Sequence, residues 1–263
     1  MTQKKVAPAG TPEGANVPPS YEEANAGCPG YSYTEGAFLW DDRNIRRVFI
    51  RKVYLILTSQ LFVTGAVVAL FTFYAPVRFY IQTHPGLYST SSFLFFITYL
   101  LLACCGDLRR RFPWNLVLLG VFTLCSACML GFISSYYRSE SVLLCVSITA
   151  LVCLCVSILS FQSKIDVTSY QGLLLNLCML LLLCVLALGL LVPFGHVPWL
   201  QALYGIVGAV TFTMFLAFDT QLMMGNKQNI ISPEEHIFAA LSLYLDVINI
   251  FQHLLQLFGD SRE

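Results

Sequence analysis

Seven apolar runs, each about 20 residues long, follow one another between residues 53 and 258. About 20 residues is the length that an α-helix needs to cross a hydrocarbon core roughly 30 Å thick. Only 11% of the 263 residues are charged, too few to build a water-facing surface. The sequence therefore predicts an all-α membrane protein, a seven-helix transmembrane bundle, with spans at 53–74, 87–105, 115–136, 141–161, 172–194, 199–224 and 237–258.

Composition excludes several classes of function. The formal net charge is zero and no basic run is interleaved with aromatics, so no nucleic-acid partner is expected. Nine of the ten cysteines lie within or beside the apolar runs, where Cys behaves as a small hydrophobe. We therefore expect no metal or redox cofactor held by the cysteines, and the lipid bilayer is the first predicted partner.

The N-terminal segment differs from the rest of the chain. Residues 1–45 are rich in Pro, Gly, Ala and Glu and lack periodicity, so this tail is predicted to be disordered, ahead of a membrane domain at 46–263. The tail contains a PPxY sequence, Pro18, Pro19, Ser20 and Tyr21. Such segments form an extended helix that fits the aromatic grooves of WW domains, which makes WW-domain proteins candidate partners.

The distribution of basic residues predicts the orientation. If the N-terminus is cytosolic, twelve of the fifteen Lys and Arg fall on the cytosolic side, as the positive-inside rule requires. Arg78, Arg138 and Arg262 fall on the other side. Arg262 is the only basic residue near the far end of the last run, so a re-entrant last helix with a cytosolic C-terminus is an alternative to one that crosses fully.

Two acidic residues lie inside the apolar runs, Asp219 and Asp246, whereas the other thirteen lie in the tail, the loops or at helix ends. An ionised acid at this depth costs roughly 2.5–3.5 kcal/mol on insertion scales, which favours a functional role. By the rise of an α-helix, Asp219 lies roughly 8 Å and Asp246 roughly 14 Å from the same membrane face, about one turn apart. If they meet, they would share one proton and act as a pH sensor.

The last run also carries a polar face. Ser242, Asp246, Asn249 and His253 are separated by four, three and four residues, which places them on one side of a helix. Such a stripe faces the bundle interior or a water-filled cavity, not lipid. Hydrogen bonding that holds the helices together is an equally good explanation for Ser242, Asn249 and His253.

Three segments resemble the transmembrane Bax inhibitor motif family, in its lifeguard branch. They are residues 218–225 (FDTQLMMG), 232–235 (SPEE) and 238–251 (FAALSLYLDVINIF). Residues 49–54 and 113–115 are similar too, so the resemblance covers roughly residues 45–260. It implies a seven-helix fold with a central helix, and a pH-sensitive calcium leak that restrains cell death at endoplasmic reticulum, Golgi or related membranes.

The resemblance also assigns residue roles. Bacterial relatives use the aspartates that match Asp219 and Asp246 as a pH-sensing pair, and an arginine that matches Arg109 as its partner in the closed state. Calcium is then the permeant ion, with transient contact to Asp219 and Asp246, and no cofactor is expected. Membrane proteins of the death pathway become candidate partners.

Two other functions are weighed against the calcium leak. A non-conducting membrane protein could act in cell-death signalling through interactions alone. An intramembrane aspartyl protease would also place two carboxyls in adjacent spans, but those enzymes carry a Gly-x-Gly-Asp sequence, and Leu216, Ala217 and Phe218 precede Asp219 here. We therefore expect a protein that is not an enzyme.

Overall fold

The computed structural model describes residues 43–106, 113–162, 167–191, 198–224 and 235–262. Eight helices lie in these ranges, with a short 3₁₀ turn at Val167–Tyr170. The helices are α1 (Arg43–Phe73), α2 (Ala75–Thr83), α3 (Gly86–Cys104), α4 (Trp114–Ser135), α5 (Ser139–Gln162), α6 (Gln171–Leu191), α7 (Pro198–Met223) and α8 (His236–Phe258).

Seven of these helices, all except α2, are long and apolar enough to cross a membrane, which confirms the seven-helix fold class. The main difference in bounds is at α1, which begins at Arg43, ten residues before the expected start of the first span. With 31 residues it is about 46 Å long, more than the hydrocarbon core requires. Its first turns, which hold Arg46, Arg47, Arg51 and Lys52, therefore lie at the membrane surface.

The sequence pattern does not predict the short helix α2, because Pro76 is interpreted there only as a break between spans. Proline fits the first turn of a helix, where its missing N–H would have no partner in any case, and Pro76 lies at that position of α2. The Gln82 side chain near its end donates to the Ser135 carbonyl oxygen at 3.0 Å, which ties α2 to the end of α4.

The last helix lies at the centre of the bundle. α8 packs against α1, α4, α5 and α7, and it is the most buried of the seven spanning helices. Tyr244, Ala240 and Leu255 in α8 are fully buried. α3 and α6 lie further out, packed mainly on α4 and α7. The central position proposed for the last helix is confirmed.

α8 also crosses the whole bundle, so it does not re-enter. Arg46 at the start of α1 donates to the Met224 carbonyl just after α7, which places both on one face, here called the N-terminal face. The opposite, C-terminal face holds the residues after α8. There the Arg138 N–H donates to the Asp260 carbonyl at 2.8 Å, and the Arg262 N–H donates to the Tyr136 carbonyl at 2.9 Å.

Small residues allow α7 and α8 to pack closely. The His253 ring of α8 lies directly over Gly208, where a β-carbon would overlap the imidazole. The same ring stacks on Phe212 at 5.5 Å and meets Tyr204 edge-on at 4.9 Å between centroids. His253 is 4% exposed, so it fills the interface as an aromatic side chain.

Substitution of Gly208 tests this packing. Gly208→Ala would push the buried His253 ring out of its place, and we expect it to lower the free energy of unfolding by about 1–3 kcal/mol. Gly205→Ala is the matched control, because a β-carbon there meets Leu257 at an ordinary 3.5 Å. Thermal unfolding of both variants in detergent measures the difference, and equal Tm values would contradict the packing argument.

Candidate functional site

Asp246 lies near the middle of α8, in the interior of the bundle. It is 6% exposed, which for an acidic side chain in a membrane-spanning helix is an extreme degree of burial. The residues before and after it along the chain, Leu245 and Val247, are half-buried apolar residues packed on the main core. The central position of α8 therefore removes this carboxyl from lipid on every side.

Asp219 lies in the last turn of α7, four residues before the helix ends at Met223, and it is half-buried. Its carboxyl lies within hydrogen-bonding reach of the Asp246 carboxyl, so the two acids are neighbours across the α7–α8 interface. The offset of about one turn inferred from the sequence is closed by the way α7 and α8 pack.

The closeness of the two aspartates has a chemical consequence. An ionised carboxylate has only acceptor oxygens, so a hydrogen bond between the two groups requires a proton on one of them. Two carboxyls this close in an apolar interior favour one shared proton over two negative charges. Oδ2 of Asp246 is buried and has no hydrogen-bond partner in the described part of the chain.

One residue of α5 lies near Asp246, and one residue of α1 lies near Thr220, which follows Asp219 in the chain. The Cys153 thiol of α5 lies close to the Asp246 carboxyl. The Tyr54 hydroxyl of α1 lies beside the Ser157 and Thr220 hydroxyls on the same side of the bundle. A tyrosine and a serine in apolar runs are common, so only the fold brings these groups together.

The polar face of α8 is divided between several environments. Asp246 faces Asp219 of α7, and His253 also packs on α7. Asn249 is half-buried and its amide donates to the Leu245 carbonyl of its own helix at 2.8 Å. Ser242 is half-buried too. Of the residues predicted to support the pair, none is therefore seen to bond either aspartate.

A second set of contacts joins α8, α1 and α4. The Tyr244 hydroxyl shares a hydrogen bond of 2.7 Å with the Thr64 hydroxyl of α1. The Gln60 amide of α1 donates to the Thr123 hydroxyl of α4 at 2.9 Å. The Tyr244 ring also meets Phe122 of α4 edge-on at 5.9 Å between centroids. These contacts join α8, α1 and α4 into one unit, and the aspartate pair links α7 to it.

Several predicted site residues lie outside the described residues. Arg109, the expected closed-state partner of the pair, is one of them, as are Pro18, Pro19 and Tyr21 of the PPxY sequence. Within the described ranges, no group of three His, Cys, Asp or Glu side chains could hold a metal ion.

Comparison with known proteins identifies the family. A family model described as Inhibitor of apoptosis-promoting Bax1 matches residues 46–263. The chain is 43% identical to human Protein lifeguard 3, over 96% of this chain and 84% of that protein, and 41% identical to the mouse protein, over 96% and 83%. It is 32% identical to Bax inhibitor 1 of Schizosaccharomyces pombe, over 94% and 91%. The chain therefore belongs to the transmembrane Bax inhibitor motif family, in its lifeguard branch.

Proposed function

We propose that this protein is a pH-sensitive calcium leak that restrains apoptosis, gated by Asp219 and Asp246. The observation that supports it is the close approach of these two carboxyls inside the membrane domain, between α7 and the central helix. A structural role alone would not need two acids in contact, because neutral amides or hydroxyls join helices at a smaller desolvation cost.

The shared proton gives the pair two states. With the proton present, the hydrogen bond holds α7 against α8. Once the proton leaves, two carboxylates about 4 Å apart repel each other by about 4 kcal/mol at an effective dielectric constant of 20. That repulsion favours separation of α7 from α8, and the second negative charge attracts a divalent cation. We therefore expect calcium flux to rise with pH.

The arrangement described above corresponds to the closed state. An apolar groove runs between α1 and α5, and neither aspartate is among the residues that line it. Movement of α7 is thus needed before an ion can reach the pair. The proposal keeps Arg109 as the closed-state partner of the aspartates, at the cytosolic end of the second span.

Calcium flux in liposomes tests the gate. In proteoliposomes with a fixed calcium gradient, we expect the wild-type flux to be higher at pH 8 than at pH 6. Asp219→Asn and Asp246→Asn should each abolish this difference, because a neutral amide cannot create the second charge. Asp260→Asn is the matched control, since Asp260 is an exposed acid on the C-terminal face that pairs with Arg138.

Two results would contradict the gate. If both aspartate variants kept the wild-type response to pH, the pair would not be the sensor. If wild-type protein carried no calcium at any pH, the leak itself would be wrong. Loss of the response in Asp260→Asn as well would show that the assay reports general damage to the protein.

The proposed restraint of apoptosis rests on the names of the matching family and relatives, Inhibitor of apoptosis-promoting Bax1 and Bax inhibitor 1. The rival hypothesis is a protein that acts through interactions with death-pathway membrane proteins and carries no ion. The double variant Asp219→Asn/Asp246→Asn separates the two in cells exposed to an apoptotic stimulus. We expect it to lose protection at wild-type expression. Full protection by the double variant would favour the interaction protein.

The proposal places the N-terminal face in the cytosol, in an endoplasmic reticulum, Golgi or related membrane. Arg46, Arg47, Arg51 and Lys52 lie at that face, as the positive-inside rule requires. The tail with Pro18, Pro19 and Tyr21 would then be available to cytosolic WW-domain proteins.

Glycosylation measures this orientation, because the sequence has no Asn-x-Ser/Thr acceptor of its own. We expect an acceptor sequence appended through a linker after Glu263 to be glycosylated, since α8 ends on the luminal face. The same sequence placed before Met1 should stay unmodified. A glycosidase-sensitive shift in mass distinguishes the glycosylated from the unmodified protein, and the reverse pattern would overturn the orientation.

A further inference from the structure

A groove of about 550 Å³ separates α1 from α5 on the outside of the bundle. Its walls are two stripes with helical spacing, from Tyr54 to Phe73 on α1 and from Val142 to Ser157 on α5, and its floor includes Val247, Ile248 and Phe251 of α8. At the rise of an α-helix, the α1 stripe is roughly 28 Å long, nearly the depth of the hydrocarbon core. The groove is thus a narrow apolar channel along most of the membrane thickness.

Two arginines meet at the end of this groove on the C-terminal face. Arg78 of α2 and Arg262 after α8 both donate to the Thr72 carbonyl oxygen, at 3.2 and 3.3 Å, and Thr72 lines the groove. Arg262 also donates to the Ser139 hydroxyl at the start of α5, at 2.6 Å. A guanidinium has five N–H donors, so both side chains keep donors for a further acceptor.

These arginines have no acidic partner in the described part of the chain. The acidic side chains that the structure describes on this face are Glu140 and Asp260, and both pair with Arg138, at 3.3 Å. Arg78 and Arg262 are half-buried, so their charges are partly withdrawn from water without a counter-charge. Such a pair of guanidiniums fits a phosphate group.

Thr72 supplies an independent sign of a missing ligand. Its side chain is fully buried, and its hydroxyl has no hydrogen-bond partner among the described residues. A buried hydroxyl without a partner is unfavourable relative to a bonded one. The carbonyl oxygen of the same residue accepts from both guanidiniums, so the orphan hydroxyl, the groove and the two arginines meet at one residue.

We propose that the groove binds an anionic phospholipid, with its phosphate at Arg78 and Arg262 and one acyl chain along the channel between α1 and α5. The groove opens sideways to the bilayer, where phospholipids are the most abundant molecules. A transmembrane helix is a poorer occupant, because it would bring no phosphate to the two guanidiniums at the mouth of the groove. The site is separate from the aspartate pair and does not depend on the calcium leak.

Thermal unfolding of the full-length protein in detergent micelles tests the site, because a ligand that binds only the folded state raises Tm. We expect phosphatidylglycerol at about 100 times its Kd to raise Tm by about 5–10 °C, and phosphatidylcholine to raise it less. Arg78→Gln/Arg262→Gln should remove the preference for the anionic lipid, and Arg78→Lys/Arg262→Lys should retain part of it. Arg138→Gln, on the same face but already paired, should keep the preference in full.

A second pair of variants tests the channel itself. Gly65 lines the groove with open space beside it, so Gly65→Leu should fill the channel and remove stabilisation by both lipids. Gly189→Leu is the matched control, because Gly189 also has open space but lies on α6, away from the groove. Both variants add the same side chain to a membrane-facing helix.

Three outcomes would overturn the proposal. The first is an unchanged preference for phosphatidylglycerol in Arg78→Gln/Arg262→Gln. The second is an equal rise of Tm with inorganic phosphate alone, which would indicate an anion site without a lipid chain. The third is a Gly65→Leu variant that lipids still stabilise in full but that no longer forms a dimer which the wild-type protein forms. That result would indicate that a helix of a second copy occupies the groove.

Discussion

A carboxyl group in the middle of a membrane-spanning helix determines how the other helices are arranged. Exposure of an ionised Asp246 to lipid would cost roughly 2.5–3.5 kcal/mol or more, and the chain avoids this by burying the carboxyl beside α7. α8 is consequently the last helix in sequence but the central one in space, enclosed by α1, α4, α5 and α7. The outer helices α3 and α6 carry no acidic residue and can face lipid.

The contact between the aspartates depends in turn on the closeness of α7 and α8. Without a hydrophobic force between helices in lipid, close approach requires small residues at the interface. Gly205 and Gly208 are the small residues of α7 at this interface, and the His253 ring occupies the space that larger side chains would take. The pair and the His253 contact lie on the same interface, so a movement of α7 that separates the carboxyls must also disturb the packing of this ring.

Much of this fold could be predicted from the sequence, because membrane-spanning helices are marked by length and hydropathy alone. The seven spans and the two intramembrane acids needed no knowledge of packing. The features that could not be predicted are those that depend on tertiary contacts between helices. Pro76 marks both a break and a helix start, so α2 was missed. Cys153 lies near Asp246, and Tyr54 lies near Thr220, only because α1 and α5 pack against α8, and helical spacing within one helix carries no such information.

The faces of α8 explain how a charged site and an apolar groove coexist a few residues apart. Asp246 points to α7, Tyr244 is bonded to α1, and Val247, Ile248 and Phe251 form the floor of the groove. Residues of one helix that differ by one or two positions point in widely different directions, so the three environments need no separation along the axis. Neither carboxyl lines the groove. The central helix can therefore keep the Asp246 carboxyl buried even though its neighbours α1 and α5 do not close against each other.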